Sequence, residues 1–310
     1  MQATAVVLRE PERLELSPVD LVEPGDEDVV VDVAFSGIST GTEKLLYTGR
    51  MPMFPGMGYP LVPGYETVGR VRHAGRRAGV REGQTVFVPG ARCFGPIRGL
   101  FGGAASRLVV AGSRVTVVSE DMGEEAVLLA LAATARRALN GPELPGLVVG
   151  HGVLGRLIAR VVVALGGAPV VWEKSPERQG GAAGYRVVDP AHDETRDYRV
   201  IVDASGDGAL LDTLIGRLGP GGEIVLAGFY EAPIAFAFPP AFMREARIRI
   251  SAEWRPPDLA AVKELLAAGR HSLAGLVTHR VPAARAPDAY RTAFEDPSCL
   301  KMILDWRAPR

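Results

Sequence analysis

The sequence has little cysteine and almost no net charge. It contains two cysteines, Cys93 and Cys299, in 310 residues, and its 35 basic and 36 acidic side chains leave a net charge of −1. Two cysteines cannot build a disulfide framework, so we expect a reducing compartment. A balanced charge gives no basic surface for nucleic acid. These absences argue against a disulfide-rich secreted module and against a nucleic-acid-binding protein.

The sequence also lacks a long apolar run. No uninterrupted apolar segment reaches the roughly 20 residues that a transmembrane helix needs, and no charged leader precedes the first apolar stretch. We therefore expect a cytoplasmic protein without an integral membrane segment, and we leave peripheral membrane association open. At this length the chain is expected to form two domains rather than one core.

The most informative segment is a glycine-rich turn after a short β-branched run. Apolar residues then recur at helical spacing until a glycine pair ends the helix. A strand, a tight turn and a helix in this order are typical of a dinucleotide-binding fold. Gly150 is expected to make the turn, Gly152 to let a pyrophosphate approach, and Gly155 to let the helix pack on the strand. Val153 and Leu154 begin the helix, whose amino terminus favours phosphate.

A second apolar run ends on Glu173, about twenty residues beyond the glycines, where dinucleotide folds place a carboxylate that accepts from the ribose hydroxyls. This carboxylate predicts NAD rather than NADP, because it would repel a 2′-phosphate. Lys174 and Arg178 follow it, either as cofactor contacts that favour phosphate weakly or as solvated charges at a helix start. Another kind of βαβ turn is the alternative interpretation of the whole segment.

The remaining chain divides into two patterns. Before residue 120, glycine and proline separate short β runs, which predicts a compact β domain. These runs cover residues 4–8, 14–16, 28–33, 67–71, 85–88, 106–110 and 115–118. From residue 123, helices and strands alternate, which predicts an α/β doubly wound parallel sheet. Helices are expected at 124–139, 209–218 and 257–268, and strands at 198–206, 223–229 and 247–251.

A β domain, a dinucleotide sheet and a short return, in this order, resemble the medium-chain dehydrogenase/reductase family. The motifs that carry the resemblance are GISTGTE at 37–43, VPGYETVGRV at 62–71, REGQTVF at 81–87, AATA at 132–135, the glycine loop and DASG at 203–206. The resemblance implies a GroES-like substrate domain (residues 1–121 and 269–310) and a Rossmann domain (122–268), with the substrate between them. It also implies a homodimer and cofactor contacts from Thr134; Ser205 and Gly228, after strand ends, are further cofactor candidates.

Zinc-dependent members of this family have a cysteine and a histidine where this sequence has Ser39 or Thr40 and Tyr65. No cysteine, histidine or acid near Thr134 supplies a third ligand, and the four-cysteine zinc lobe is missing. Neutral hydroxyls do not replace thiolate and imidazole as zinc ligands. We therefore expect no metal in the site.

Among the zinc-free members, residues 35–52 and 54–66 are similar to dehydrogenases that act on a chlorin, a magnesium tetrapyrrole, in bacteriochlorophyll synthesis. The resemblance implies NAD-dependent oxidation of a 1-hydroxyethyl group to acetyl. Two alternatives stay open. One is a quinone or enone reductase of the same family that uses NADPH; the other is a dinucleotide-binding protein without catalysis.

Without a metal, the proton of the alcohol must pass to hydroxyls and a carboxylate. Thr42, Glu43, Tyr65 and Glu66 are the catalytic candidates, in the loops that face the cleft in this family. Each has a structural alternative. Thr42 could cap a helix, Glu43 could complete its first turn, Tyr65 could pack in the core and Glu66 could be a buried acid bonded to backbone. Lys44 is either a contact for a substrate carboxylate or a solvated helix lysine.

Residues 47–59 form an apolar segment interrupted by proline and glycine, which predicts an irregular loop. Met51, Met53, Phe54 and Met57 are expected to wall an apolar cleft for a flat chlorin, and Arg50 to pair with its propionate. The alternative is that the loop packs on the β domain or in a dimer interface.

Overall fold

The computed structural model describes residues 1–307. The strands are β1 Gln2–Glu10, β2 Arg13–Asp20, β3 Asp28–Ile38, β4 Leu61–Pro63, β5 Thr67–Ala74, β6 Thr85–Val88, β7 Arg98–Leu100, β8 Arg107–Ala111, β9 Thr116–Val117, β10 Leu147–Val149, β11 Val170–Trp172, β12 Arg186–Val188, β13 Tyr198–Asp203, β14 Leu218–Leu226, β15 Arg247–Ile250, β16 His279–Pro282 and β17 Met302–Asp305. The α-helices are α1 Thr42–Tyr47, α2 Leu129–Ala138, α3 Val153–Ala164, α4 Pro176–Gln179, α5 Leu211–Arg217, α6 Phe238–Met243, α7 Pro256–Ala267 and α8 Ala286–Glu295.

The first compact unit comprises Met1–Ala130 and the C-terminal part from Leu276. One of its sheets has the order β16-β17-β3-β5-β6-β9, with β8 also paired to β3, and the other has the order β2-β1-β4-β7. The β-branched residues of the long strand β3 are buried on both faces, and Val29, Val30 and Val31 lie in the core. Strand β3 ends at Ile38, so it brings Ser39 and the residues after it to one end of the sheet.

The second unit, Leu131–Gly275, contains a six-stranded parallel sheet in the order β12-β11-β10-β13-β14-β15. The strand order reverses between β10 and β13, and open sheets of this kind bind ligands in the crevice at such a switch point. The predicted α/β fold with a doubly wound parallel sheet is confirmed. The unit boundaries fall C-terminal to the predicted ones at 121 and 268. Within residues 1–307, no helix has the length and apolarity to cross a membrane.

The α-helix predicted at 124–139 is wrong for its first five residues. Residues Glu120–Leu128 form a 3₁₀ helix, and the α-helix begins only at Leu129. Gly123 interrupts the turns with a φ of 50°, and the Ser119 hydroxyl caps the first turn by accepting from the Asp121 N–H. The strand predicted at 198–206 ends earlier, at Asp203, because the chain turns at Gly206, which has a φ of 74°.

Candidate active site

The glycine loop lies at the switch point of the second unit. Gly150 has a φ of 92°, and a β-carbon there would lie 3.3 Å from the backbone of Ser205 on the neighbouring strand end. A β-carbon on Gly155 would overlap the Gly150 carbonyl oxygen, so the helix can pack this closely only without a side chain. Around a β-carbon on Gly152 nothing lies within 4 Å, so this face of the loop is open to a ligand. The three glycines therefore have the three different surroundings that their spacing predicts: a turn, an open face and a close contact. The amino terminus of α3 beside the open face is suited to bind a phosphate group.

Glu173 braces this loop. One carboxylate oxygen accepts from the His151 N–H (3.1 Å) and the other from the Ser175 N–H (2.9 Å). A carboxylate has about four acceptor positions, so capacity for ribose hydroxyls remains. Its neighbour Lys174 is exposed to solvent.

The loop is also held by the imidazole of His151, whose hydrogen bonds were not predicted from the sequence. Its Nδ1 lies 2.6 Å from the Arg178 carbonyl and its Nε2 2.8 Å from the Tyr185 hydroxyl. A carbonyl only accepts, so Nδ1 carries the proton and Nε2 accepts from the tyrosine. Burial lowers the pKa of His151 to about 4 and keeps the ring neutral. The guanidinium of Arg156 donates to the carbonyls of His151 and Arg178, which fixes the same loop from the other side.

The other predicted cofactor contacts lie on the same unit. Ser205 follows β13 and donates its N–H to the carboxylate of the buried Asp203, which also accepts from the Tyr230 hydroxyl. Desolvation raises the pKa of Asp203. Gly228 follows β14, and a β-carbon there would lie 2.7 Å from the Gly206 nitrogen, so that only glycine fits. Thr134 is half-buried in α2.

Three hydroxyl groups meet in the first unit, at the end of β3. The Ser39 Oγ lies 2.7 Å from the Tyr65 hydroxyl, and the Thr42 Oγ1 lies 3.1 Å from the Ser39 Oγ and 3.3 Å from the Tyr65 oxygen, so its single O–H can donate to either. Gly41, not Thr42, occupies the N-cap of α1, so the interpretation of Thr42 as a helix cap is wrong. Burial and the negative charge of Glu66 raise the pKa of Tyr65 far above its usual value. The three side chains therefore form a neutral hydroxyl triad that can pass a proton along its hydrogen bonds.

Glu43 lies beneath this triad. One oxygen of its buried carboxylate accepts from the Ser39 N–H (3.0 Å), and the other accepts from the Tyr290 hydroxyl (2.6 Å) on α8. Desolvation raises the pKa of Glu43 to about 7. Glu43 contacts Ser39 through the backbone N–H, so its carboxylate fixes the backbone that carries one of the three hydroxyls.

Glu66 forms a buried ion pair with Lys301, a residue that the sequence analysis missed. The Lys301 ammonium lies 2.5 Å from one Glu66 oxygen and donates to the Ile38 carbonyl at 3.1 Å. The other Glu66 oxygen is buried and lacks a protein partner. Glu66 is therefore a buried acid, as its structural alternative predicts, but its partner is an ammonium group rather than backbone N–H. Lys44 is half-buried and its ammonium donates to the Phe294 carbonyl, so it is not a fully solvated helix lysine.

The apolar segment after α1 is irregular, as predicted, but its side chains divide into two groups. Met51 is buried among leucines of the first unit and Met57 packs against the same cluster, so the role of Met51 as a cleft wall is wrong. Met53 is 82% exposed and Phe54 37% exposed. Arg50 is exposed and donates to the Thr48 hydroxyl.

The donor set does not fit a zinc ion. The two ligand positions of the family are occupied here by hydroxyl groups and a phenol with a raised pKa, and the nearby Glu66 is already paired with Lys301. No three His, Cys, Asp or Glu side chains of the described chain are grouped so that they could hold a metal.

Comparisons with known proteins agree with this fold. Residues 25–121 match the alcohol dehydrogenase GroES-like domain. The chain is similar to L-idonate 5-dehydrogenase from Escherichia coli (TM-score 0.86, 20% identity, 99% of both chains). It is also similar to 2R,3R-butanediol dehydrogenase from Bacillus subtilis (TM-score 0.85, 20% identity, 99% of this chain and 100% of the other). At this identity the two structures show the fold alone, which is that of alcohol dehydrogenases.

Two relatives are much more similar in sequence. Both are named 2-desacetyl-2-hydroxyethyl bacteriochlorophyllide A dehydrogenase, from Rhodobacter capsulatus and Cereibacter sphaeroides. Each is 58% identical to this chain over 99% of both sequences. The chain therefore belongs to this dehydrogenase family, within the medium-chain dehydrogenases/reductases.

Proposed function

We propose that the protein is an NAD-dependent alcohol dehydrogenase that oxidises the 1-hydroxyethyl group of a bacteriochlorophyllide to an acetyl group in bacteriochlorophyll biosynthesis. The observation that carries the proposal is the 58% identity, over 99% of both sequences, to relatives named for this substrate. The hydroxyl triad supports it, because a secondary alcohol must release a proton while its hydride leaves.

In the proposed reaction, the substrate alcohol donates a hydrogen bond to the triad of Ser39, Thr42 and Tyr65. Bound NAD would supply the hydride acceptor, so that oxidation of the secondary alcohol would give the acetyl group, NADH and one proton. Because the pKa of Tyr65 is raised, its phenol acts as a relay that takes up one proton as it releases another, not as a standing phenolate base. Glu43 holds Ser39 in place for this transfer through its bond to the Ser39 N–H.

Residues of the second unit are proposed to hold the dinucleotide. The open face at Gly152 and the start of α3, with Val153 and Leu154, accommodate the pyrophosphate. Glu173 accepts from the ribose hydroxyls and disfavours a 2′-phosphate, which selects NAD. Ser205, Gly228, Thr134 and Lys174 complete the proposed contacts.

We propose that the reaction proceeds without zinc. Hydroxyl groups occupy the two ligand positions of the family, and the nearby Glu66 carboxylate is already paired with Lys301. Elemental analysis of active, chelator-washed protein is expected to find less than about 0.1 zinc per chain. Stoichiometric zinc that is required for turnover would refute this part of the proposal.

We propose a cytoplasmic homodimer, with the second copy seated on an apolar edge of the second unit. Strand β15 ends the sheet and pairs only with β14 within residues 1–307. Its Ile250 is 67% exposed, and Phe238, Phe242 and Met243 of the neighbouring part of the unit are exposed as well. An edge strand and a helix that both expose large apolar side chains are usually covered by a partner. Light scattering at micromolar concentration is expected to give twice the mass of the 32.9 kDa chain, and a monomer would contradict the proposal.

The decisive test is turnover. Purified protein is mixed with 2-desacetyl-2-hydroxyethyl bacteriochlorophyllide A and with NAD or NADP, and NADH absorbance and the acetyl product are followed. We expect product with NAD. Reduction of quinones or enones by NADPH without chlorin oxidation would favour the reductase alternative. Binding of NAD without turnover of any of these substrates would favour a non-catalytic protein.

A further inference from the structure

An exposed aromatic side chain, Phe101, stands beside the hydroxyl triad. Its ring centroid lies 5.6 Å from that of Tyr65, and the two ring planes are nearly perpendicular, at 83°. Phe101 is 36% exposed, so the contact with Tyr65 leaves part of the ring open to solvent. In such an edge-to-face pair, the uncovered surface of the ring remains available for another aromatic partner.

The backbone around Phe101 is held tightly, which is unusual for an exposed residue. Its carbonyl accepts from the Ala91 N–H (2.9 Å), and the N–H of the next residue, Gly102, donates to the Val62 carbonyl (2.9 Å). Gly103 donates to the Pro63 carbonyl, and its own carbonyl accepts from Thr67 Oγ1. The backbone that carries the ring is therefore held by bonds to two other segments, residues 62–67 and Ala91.

Glycines make this close approach feasible. A β-carbon on Gly90 would overlap the Phe101 carbonyl oxygen, and one on Gly102 would overlap the Ala91 carbonyl oxygen. A β-carbon on Gly103 would overlap the Thr67 hydroxyl. At these three positions a side chain would prevent the close approach of the segments on either side of Phe101.

We propose that Phe101 is a substrate-specificity residue whose ring stacks on the flat macrocycle and sets the hydroxyethyl arm against Tyr65. The proposal rests on the proposed function and names how that site selects its substrate. A small secondary alcohol has no aromatic face and gains nothing from this ring. The contribution of Phe101 should therefore appear with the chlorin and disappear with a small alcohol.

The test compares Phe101→Leu, which keeps an apolar side chain without the ring, with Phe101→Tyr, which keeps the ring. The loss of one aromatic contact is expected to raise the KM for 2-desacetyl-2-hydroxyethyl bacteriochlorophyllide A about tenfold in Phe101→Leu. Its kcat/KM for butan-2-ol, its affinity for NAD and its melting temperature should match the wild type. Phe101→Tyr should retain a KM within about twofold of the wild type, because its ring still stacks.

Two negative results have different meanings. If the wild type neither binds nor oxidises the chlorin, the proposed function fails. If the wild type oxidises the chlorin and Phe101→Leu has an unchanged KM, or loses the chlorin and butan-2-ol equally, only the role of Phe101 is overturned. Quenching of chlorin fluorescence on titration with each variant measures binding separately from turnover.

Discussion

The glycine loop and the hydroxyl triad are built in opposite ways. The turn of the loop is made of backbone, and the three glycines that form it lie within a few positions of one another, from Gly150 to Gly155, although Glu173 braces the turn from farther along the chain. The triad is made of side chains, and its hydrogen bonds and those beneath it join residues 26 positions apart (Ser39 and Tyr65) and 247 positions apart (Glu43 and Tyr290). A site of the first kind leaves a local pattern in the sequence, whereas a site of the second kind depends on the fold to assemble it.

The largest effect is expected at the ion pair beneath the triad. Lys301→Met leaves the Glu66 carboxylate buried without its partner, which should lower the free energy of unfolding by about 3–5 kcal/mol. Urea unfolding measures this loss. The double variant Lys301→Met with Glu66→Gln removes the charge as well and should recover much of the stability. If the double variant is as unstable as the single one, the loss of stability does not come from the unpaired charge of Glu66.

The buried carboxyl of Glu43 should make stability depend on pH. Its pKa in the folded protein, about 7, lies above the usual 4.5, so the native state binds more protons between these values. The contribution of Glu43 to stability is therefore greatest below pH 4.5, and it is lost as the pH rises to about 7. The difference in pKa corresponds to about 3 kcal/mol.

Glu43→Gln should abolish that decline while keeping a hydrogen-bond partner for Tyr290 and Ser39. Urea unfolding at a series of pH values between 4.5 and 8 measures the slope. The charged neighbours, Glu66 and Lys301, are unchanged in this variant and provide the common background. An identical slope in the wild type and in Glu43→Gln would show that Glu43 does not titrate in this range.

In the glycine-loop site, Glu173→Ala should weaken NAD binding by about 1.5–3 kcal/mol, since it removes a bond to a charged group. The variant should also prefer NAD over NADP less strongly than the wild type does. The carboxylate also accepts from the His151 and Ser175 N–H groups, so part of the loss reflects a looser loop. Lys263→Ala, which removes an exposed charge on α7 of the same unit, is the control and should change NAD affinity little. Unchanged NAD affinity in Glu173→Ala, measured by calorimetric titration, would remove Glu173 from the cofactor site.

The smallest expected effect on stability is the difference between alanine substitutions at Gly155 and at Gly152 of the glycine loop. A methyl group on Gly155 meets the Gly150 carbonyl, so Gly155→Ala should cost about 1–3 kcal/mol of unfolding free energy. Gly152→Ala should leave the melting temperature nearly unchanged, because nothing lies near its β-carbon, while weakening NAD binding. The reverse pattern in thermal melts and NAD titrations would contradict the assignment of the two positions.

The local chemistry of the chain was enough to predict the parallel sheet and its glycine loop. Positive φ and close backbone approach are properties of glycine itself, and β-branched runs and helical periodicity act over a few residues, so they can be read along the chain. Local pattern failed at residues 124–139, where apolar spacing predicts one helix. There Gly123 interrupts the 3₁₀ turns of Glu120–Leu128, and the α-helix begins only at Leu129.

Only the tertiary structure identified Phe101 as the partner of Tyr65, Tyr290 as the partner of Glu43 and Lys301 as the partner of Glu66. Each partner comes from a distant part of the sequence, so no spacing along the chain indicates the contact. The same holds for Met51 and Met53, which are similar in sequence context but lie in the core and in solvent, respectively. Side-chain type and local spacing limit what a residue can do, but burial and partners depend on which segments the fold brings together.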